Sequence, residues 1–133
     1  MNQNEVLKNP RIIVIQKLYG YHLSKDSEIT FPKHRYKKFI KDVVKGTIER
    51  EDLIQSLIDK ELKDSINNNK TELLIKLMIM AAIYEFMYMH KTPVKVIIGE
   101  YLKVAAFFVQ DSQKSFLNAV LDKVSKVARV TKV

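Results

Sequence analysis

The side chains most able to bind a ligand in this sequence are lysines with a regular spacing between residues 33 and 50. Seven Lys or Arg residues fall in this stretch against two acidic ones. Four of them recur every four residues, and a helix would place them on one ridge. These are Lys33, Lys37, Lys41 and Lys45. Such a ridge could bind phosphates, or it could be the solvated face of an amphipathic helix.

Two further features concern this basic stretch. Apolar side chains are predicted on the opposite side of the same helix, namely Tyr36, Phe39, Ile40, Val43 and Val44. Four like charges in a row repel one another, and an anionic ligand would relieve that repulsion. A second basic region follows near the C-terminus, made of Lys114, Lys123, Lys126, Arg129 and Lys132.

The charge balance indicates an anionic partner. Lys and Arg total 23 against 15 Asp and Glu, a net charge of +8, and the pI is near 9.6. An excess of this size favours nucleic acid ahead of a membrane surface. The alternative is that the charge serves solubility alone.

Nothing in the sequence supports catalysis. There is no cysteine, which excludes disulfides and thiolate chemistry, and the three glycines are too far apart for a phosphate-binding loop. His22, His34 and His90 lack the spacing of a helical metal pair. Glu85 and Glu100 lie among apolar residues, where a carboxylate is either a perturbed acid or is tied to a neighbouring lysine or amide. We expect no enzyme activity, no metal and no cofactor.

The elements that must position these residues are helices. Hydrophobic residues make up 47% of the chain, which is typical of a folded core, while three glycines and three prolines are too few for many β-turns. A length of 133 residues suits one domain. The prediction is an all-α, compact bundle of six or seven helices, in a single domain spanning residues 1–133.

Local signals place the individual helices. Asn9-Pro10 predicts an N-cap and first turn, and residues 24–32 predict a loop. A helical stretch from about His34 to Asp64 is expected to kink or break at Gly46. Three later boundaries are also predicted: a capping box at Asn69 and Glu72, a helix start at Thr92-Pro93, and a polar link at residues 110–113.

The segment from residue 73 to 89 is apolar at fifteen of its seventeen positions. A membrane span needs about 20 apolar residues with few charges, and this run includes Lys76 and Glu85. The better interpretation is a central helix surrounded by the others. Because the N-terminus also lacks the pattern of a signal peptide, we expect a cytoplasmic protein that does not enter membranes.

Several short blocks, in order, resemble the NusB transcription-antitermination family. Each block alone is weak, but together they run from residue 11 to 122 and cover nearly the whole chain. The blocks are Arg11 with Gln16-Lys17-Leu18-Tyr19; Phe39, Val43, Val44 and Gly46; Ala82-Ile83-Tyr84-Glu85-Phe86; Pro93, Val96, Ile98 and Glu100; Ala105 and Phe108; and residues 116–122, FLNAVLD.

The resemblance implies an all-α fold and a non-enzymatic role. Members of the family bind the boxA element of nascent RNA, chiefly ribosomal RNA leaders, together with the ribosomal protein NusE, and the complex helps RNA polymerase to resist termination. With the basic residues above, this predicts RNA-binding residues and partner-binding residues. The former are Lys8, Arg11, Lys37, Lys41, Lys45, Phe108, Lys114 and Phe116; the latter are Tyr19 and Glu85.

The sequence departs from the family pattern at its N-terminus. The family usually begins with a cluster of arginines that grips RNA phosphates, whereas Lys8 and Arg11 are what remains here. Other differences are Met80, Gly99 and Ala119, where Arg, Asn and Gly are expected. Either another basic surface compensates, for which the lysine ridge is the candidate, or RNA affinity depends more heavily on the partner protein.

Two alternatives to an RNA-binding antitermination factor stay open. The first is an interaction module that keeps the fold and has lost independent RNA binding. The second is the helical domain that precedes the catalytic domain in some rRNA cytosine methyltransferases. The second is disfavoured because no glycine-rich strand-loop for S-adenosylmethionine follows residue 122.

Overall fold

A computed structural model describes residues 2–62 and 70–131, and within them all regular structure is α-helical. The helices are α1 (Gln3–Lys8), α2 (Pro10–Leu23), α3 (Lys37–Glu49), α4 (Glu51–Leu62), α5 (Lys70–Tyr88), α6 (Val94–Phe108) and α7 (Asp111–Ala128). The prediction of an all-α bundle of six or seven helices is confirmed.

Helix α5 is the centre of the bundle. It packs against α2, α3, α4, α6 and α7, and nearly every residue from Ile75 to Met87 is buried. Burial on all sides explains why its sequence is apolar all round rather than along one stripe. The predicted central helix is therefore confirmed, although it ends at Tyr88, one residue earlier than expected. In the described residues no helix is long and apolar enough to cross a membrane.

The start of α2 follows its sequence signal closely. The side chain of Asn9 accepts hydrogen bonds from the backbone N–H groups of Arg11 (3.0 Å) and Ile12 (3.3 Å), and Pro10 occupies the first turn. The sequence interpretation missed α1, which is short but carries its own capping box between Asn2 and Glu5. Together these caps fix the corner between α1 and α2.

The break between α3 and α4 lies at Arg50 and not at Gly46, so that prediction is wrong. Arg50 leaves the helical conformation (φ −110°, ψ 22°), and its guanidinium lies 4.5 Å from the ring centroid of Tyr88. Gly46 lies within the helix, and the ring of Tyr84 fills the space beside its Cα, where a larger residue would not fit. Helix α3 also begins at Lys37, so Lys33 lies in the preceding loop and is not part of the helical ridge.

Two other helix starts differ from the sequence expectation by a few residues. Pro93 is the N-cap of α6, its carbonyl accepting from the N–H of Ile97 (3.1 Å), so Thr92 is not the cap. Gln110 forms a reciprocal capping box with Gln113, which draws most of the predicted 110–113 link into α7. The predicted capping box at Asn69 and Glu72 lies partly outside the described residues.

Candidate nucleic-acid interface

The junction between α6 and α7 brings together three of the predicted RNA-binding residues. Phe108 is the last residue of α6, and Lys114 and Phe116 lie in the first two turns of α7, which packs against α6. The ring of Phe116 is 38% exposed, whereas Phe108 and Lys114 are half-buried. An exposed ring can stack an unpaired base, and a lysine two residues earlier in the same helix can bind a phosphate of the same strand.

Phe107 is the residue at this junction that the sequence interpretation missed. Its side chain is 43% exposed, more than that of Phe116, and its ring meets Phe108 edge-on with centroids 4.9 Å apart. On the helical wheel of α6, Phe107 falls one turn after the buried Val104, at the edge of the stripe formed with Ile97 and Tyr101, so spacing alone does not mark it as exposed. The junction therefore offers two exposed rings rather than one.

Arg11 and Glu85 bind each other. The guanidinium donates from Nη2 to Oε1 (2.6 Å) and from Nε to Oε2 (3.0 Å), a bidentate ion pair between α2 and α5. The Arg11 side chain is 12% exposed and that of Glu85 is fully buried. Contact of Arg11 with RNA, or of Glu85 with a partner, would require this pair to open, and both roles stay predictions. The alternative considered for Glu85 was a tie to a lysine or a backbone amide, whereas its partners in the structure are the arginine Arg11 and the hydroxyl of Tyr101.

Aromatic side chains surround the ion pair of Arg11 and Glu85, and one of them adds a third hydrogen bond. The hydroxyl of Tyr101 donates to Oε2 of Glu85 (2.5 Å), and Arg11 lies 4.8 Å from the ring centroid of Phe39 and 5.7 Å from that of Tyr101. Burial tends to lower the pKa of Arg11, but the hydrogen bond and attraction of Glu85 outweigh it and raise that pKa. Burial, together with the negative charge of Glu85, raises the pKa of Tyr101 well above its ordinary value.

Two further residues with a predicted binding role lie near the N-terminus, one at the α1–α2 corner and one on α2. Lys8 is exposed at the end of α1, close in sequence to the buried ion pair. Tyr19, predicted to bind a partner, is half-buried against the hydrophobic core. With Arg11 held by Glu85, Lys8 is the predicted N-terminal cation whose charge faces solvent.

Helix α3 presents the predicted lysines on one flank. Lys37, Lys41 and Lys45 are all exposed, while Ile40, Val43 and Val44 on the opposite flank are fully buried. Within the described part of the chain, none of these three lysines forms an ion pair with an acidic side chain. The neighbouring pair on this helix joins Lys38 to Asp42, at 2.7 Å.

Helices α3 and α5 pack closely at Gly46 and Tyr84. A Cβ on Gly46 would lie 2.1 Å from Cε1 of Tyr84, and Tyr84 stacks on Tyr88 with ring centroids 4.9 Å apart. Arg50 then covers Tyr88. The stacked rings of Tyr84 and Tyr88 therefore connect the α3–α4 break to the end of α5. This contact fixes the position of α3 and of its lysines.

Known proteins share this arrangement of helices. A solved structure of NusB from T. maritima superposes with a TM-score of 0.76 at 21% identity, covering 90% of this chain and 89% of that one. Because the identity is low, the likeness establishes the fold and no more. The fold is thus that of the NusB-type helical bundles.

Sequence comparisons take the identification one step further. Residues 8–126 match the sequence model of the NusB family. The transcription antitermination protein NusB of Mesorhizobium japonicum is 26% identical over 110 residues, which are 83% of this chain and 71% of that protein. Those of Bradyrhizobium diazoefficiens and Nitrobacter winogradskyi are 30% and 31% identical over 68% and 66% of this chain, but the match spans 55% of each relative. This chain belongs to the NusB family.

Proposed function

We propose that this chain is a non-catalytic transcription antitermination factor. It binds boxA-type RNA together with the ribosomal protein NusE, as part of an RNA polymerase complex that supports transcription of ribosomal RNA in the cytoplasm. Membership of the NusB family, and the similarity to relatives that are transcription antitermination proteins, support this proposal. Residues 1–133 would act as one RNA-binding domain.

The observation that carries the proposal is the exposed ring of Phe116 at the α6–α7 junction, two residues after Lys114 in α7. A base released from pairing can stack on that ring, while Lys114 and the exposed Lys8 neutralise phosphates. Phe108, at the end of α6, is half-buried and its ring lies edge-on to that of Phe107. Stacking with few cations gives modest affinity, and so NusE is expected to contribute part of the binding.

One observation favours the second candidate, an interaction module without independent RNA binding. Arg11, the sole arginine retained from the family's N-terminal cluster, is held by Glu85 and is 12% exposed. With Lys8 as the solvent-facing cation among the described residues of this corner, the protein would depend on its partner for RNA affinity. In that role, half-buried Tyr19 on α2 is the predicted residue for partner contact.

Measuring RNA affinity with and without NusE separates the two candidates. A labelled single-stranded boxA RNA and a scrambled sequence of equal length are titrated with the protein alone and with its NusE complex. The proposed function predicts tighter binding of boxA than of the scrambled RNA, with a further gain when NusE is present. Equal binding of both RNAs under both conditions would contradict it.

A further inference from the structure

We infer that α3 carries a second RNA-binding surface, a sequence-independent phosphate track formed by Lys37, Lys41 and Lys45 with Tyr36 at its N-terminal end. The inference takes RNA as the ligand class from the proposed function. The proposed surface lies on α3, away from the α6–α7 junction. Testing it does not require recognition of boxA. We call these four residues the α3 track.

The charge arrangement is the first observation. The three lysines are exposed, form no ion pair among the described residues, and lie at intervals of about 6 Å along the helix axis. Mutual repulsion along such a row is relieved when phosphates replace its counterions. A row of point charges binds successive phosphates of a strand without reading its bases.

The second observation is Tyr36, which the sequence interpretation placed with the apolar side of α3. Its side chain is instead 46% exposed, and it directly precedes the helix. Arg35 lies 5.4 Å from its ring centroid, and the Tyr36 backbone N–H donates to Nδ1 of His34 (2.9 Å). An exposed ring beside Arg35, one residue before the first lysine of the row, is a platform on which an unpaired base can stack.

The burial of the rest of α3 argues against a membrane as the ligand. A helix that binds a lipid surface inserts its apolar face between headgroups. In α3 that face is Ile40, Val43 and Val44, and each is fully buried in the core. What α3 offers to solvent is its charged flank, which favours a polyanion. Because Tyr36 needs an unpaired base, the expected polyanion is single-stranded RNA.

The test compares a triple variant with a charge-matched control. Replacing Lys37, Lys41 and Lys45 together with alanine removes the track, while Lys25→Ala, Lys60→Ala and Lys95→Ala remove the same charge from exposed positions outside α3. Binding of a single-stranded oligouridine is measured by fluorescence anisotropy over a range of salt. Circular dichroism verifies that both variants are folded.

The expected result is a loss of about tenfold or more in affinity for the track variant at low salt. Its slope of log K against log salt should become shallower by up to about 2, at roughly 0.7 per phosphate contact. Tyr36→Ala should weaken binding of the single strand but not of a duplex, and Tyr36→Phe should bind as the wild type does.

The inference is overturned if the track variant binds oligouridine as the control variant does, or if both lose affinity equally. It is also overturned if polyglutamate displaces the RNA as well as unlabelled RNA of equal charge does, because the surface would then serve acidic proteins. Equal binding of boxA and scrambled RNA would count against the proposed function but leaves the inference standing, since the track is expected to ignore sequence.

Discussion

The ring of Tyr84 lies directly against the backbone of Gly46, where a Cβ would be 2.1 Å from Cε1. The two residues belong to different sequence blocks of the NusB family resemblance, and the contact explains why a glycine fits in the middle of α3. Helices α3 and α5 approach closely here because the smallest residue faces a flat ring. The position of α3, and with it the exposed lysines, depends on this contact.

Gly46→Ala should therefore destabilise the protein. The added methyl group must displace the ring of Tyr84, and overpacking of this kind costs about 1–3 kcal/mol of unfolding free energy. Urea denaturation measures the change. Gly99→Ala is the matched control: nothing lies within 4 Å of its Cβ position in α6, so alanine should stabilise by about 0.5–1 kcal/mol. Equal stability of the two variants would show that α3 does not pack as described.

The ion pair of Arg11 and Glu85 should behave as a buried structural unit. Arg11→Ala leaves an uncompensated carboxylate in the core and is expected to cost about 3–5 kcal/mol of unfolding free energy. The double variant Arg11→Met with Glu85→Leu should recover much of that loss, because it removes both charges. Breaking the exposed pair Lys38–Asp42 is the control and should change stability little. If Arg11→Ala instead keeps wild-type stability and weakens RNA binding, Arg11 contacts RNA, as the sequence predicts.

Tyr101 should make the protein less stable at high pH. Its pKa is raised in the folded state, by burial and by Glu85, above the ordinary value of 10.0 that applies to the unfolded chain. Above pH 10 the unfolded chain therefore binds fewer protons than the native one, and the free energy of unfolding falls as pH rises. The contribution of Tyr101 to the free energy of unfolding is therefore fully present below pH 10 and is lost as the pH rises further.

Tyr101→Phe isolates this effect. The variant loses the hydrogen bond to Glu85 and should be less stable at neutral pH, but it should lose less stability than the wild type between neutral pH and pH values above 10. Chemical denaturation at a series of pH values measures both curves. Parallel curves throughout would contradict the assignment of a raised pKa to Tyr101.

Phe116 should contribute directly to RNA binding. Removing a stacking ring costs about 1–3 kcal/mol, or roughly 5- to 150-fold in Kd, so Phe116→Ala should weaken boxA binding within that range. Leu53→Ala provides the control, since Leu53 is 40% exposed on α4. Fluorescence anisotropy with the labelled boxA RNA measures both. Unchanged affinity for Phe116→Ala would leave the exposed ring without a role in the proposed site.

Local sequence signals predicted local structure well. Asn9 and Pro10 marked the start of α2, and the apolar run from residue 73 marked the central helix. Those features depend on neighbouring residues, whose effects are visible in a single stretch of sequence. Glycine weakens helices in general, so the sequence placed the break at Gly46, whereas this glycine serves the close contact with Tyr84 and the break lies at Arg50.

The candidate site was predicted less completely because its geometry depends on distant pairs. Arg11 and Glu85 are 74 residues apart, and no spacing rule links them. The sequence identified Glu85 as a carboxylate among apolar residues but could not name its partner or the hydroxyl of Tyr101. Exposure was equally hidden: Phe107 and Tyr36 face solvent because of how α6 and the start of α3 are placed in the bundle.

Transcription through a terminator tests the central claim most directly. A template carries boxA in its leader upstream of a terminator, and a cell extract depleted of this protein supplies RNA polymerase, NusE and the other factors. The account predicts that adding the purified protein raises the fraction of transcripts that pass the terminator, and that scrambling boxA abolishes the increase. Read-through that does not respond to the protein, or that rises equally without boxA, would contradict it.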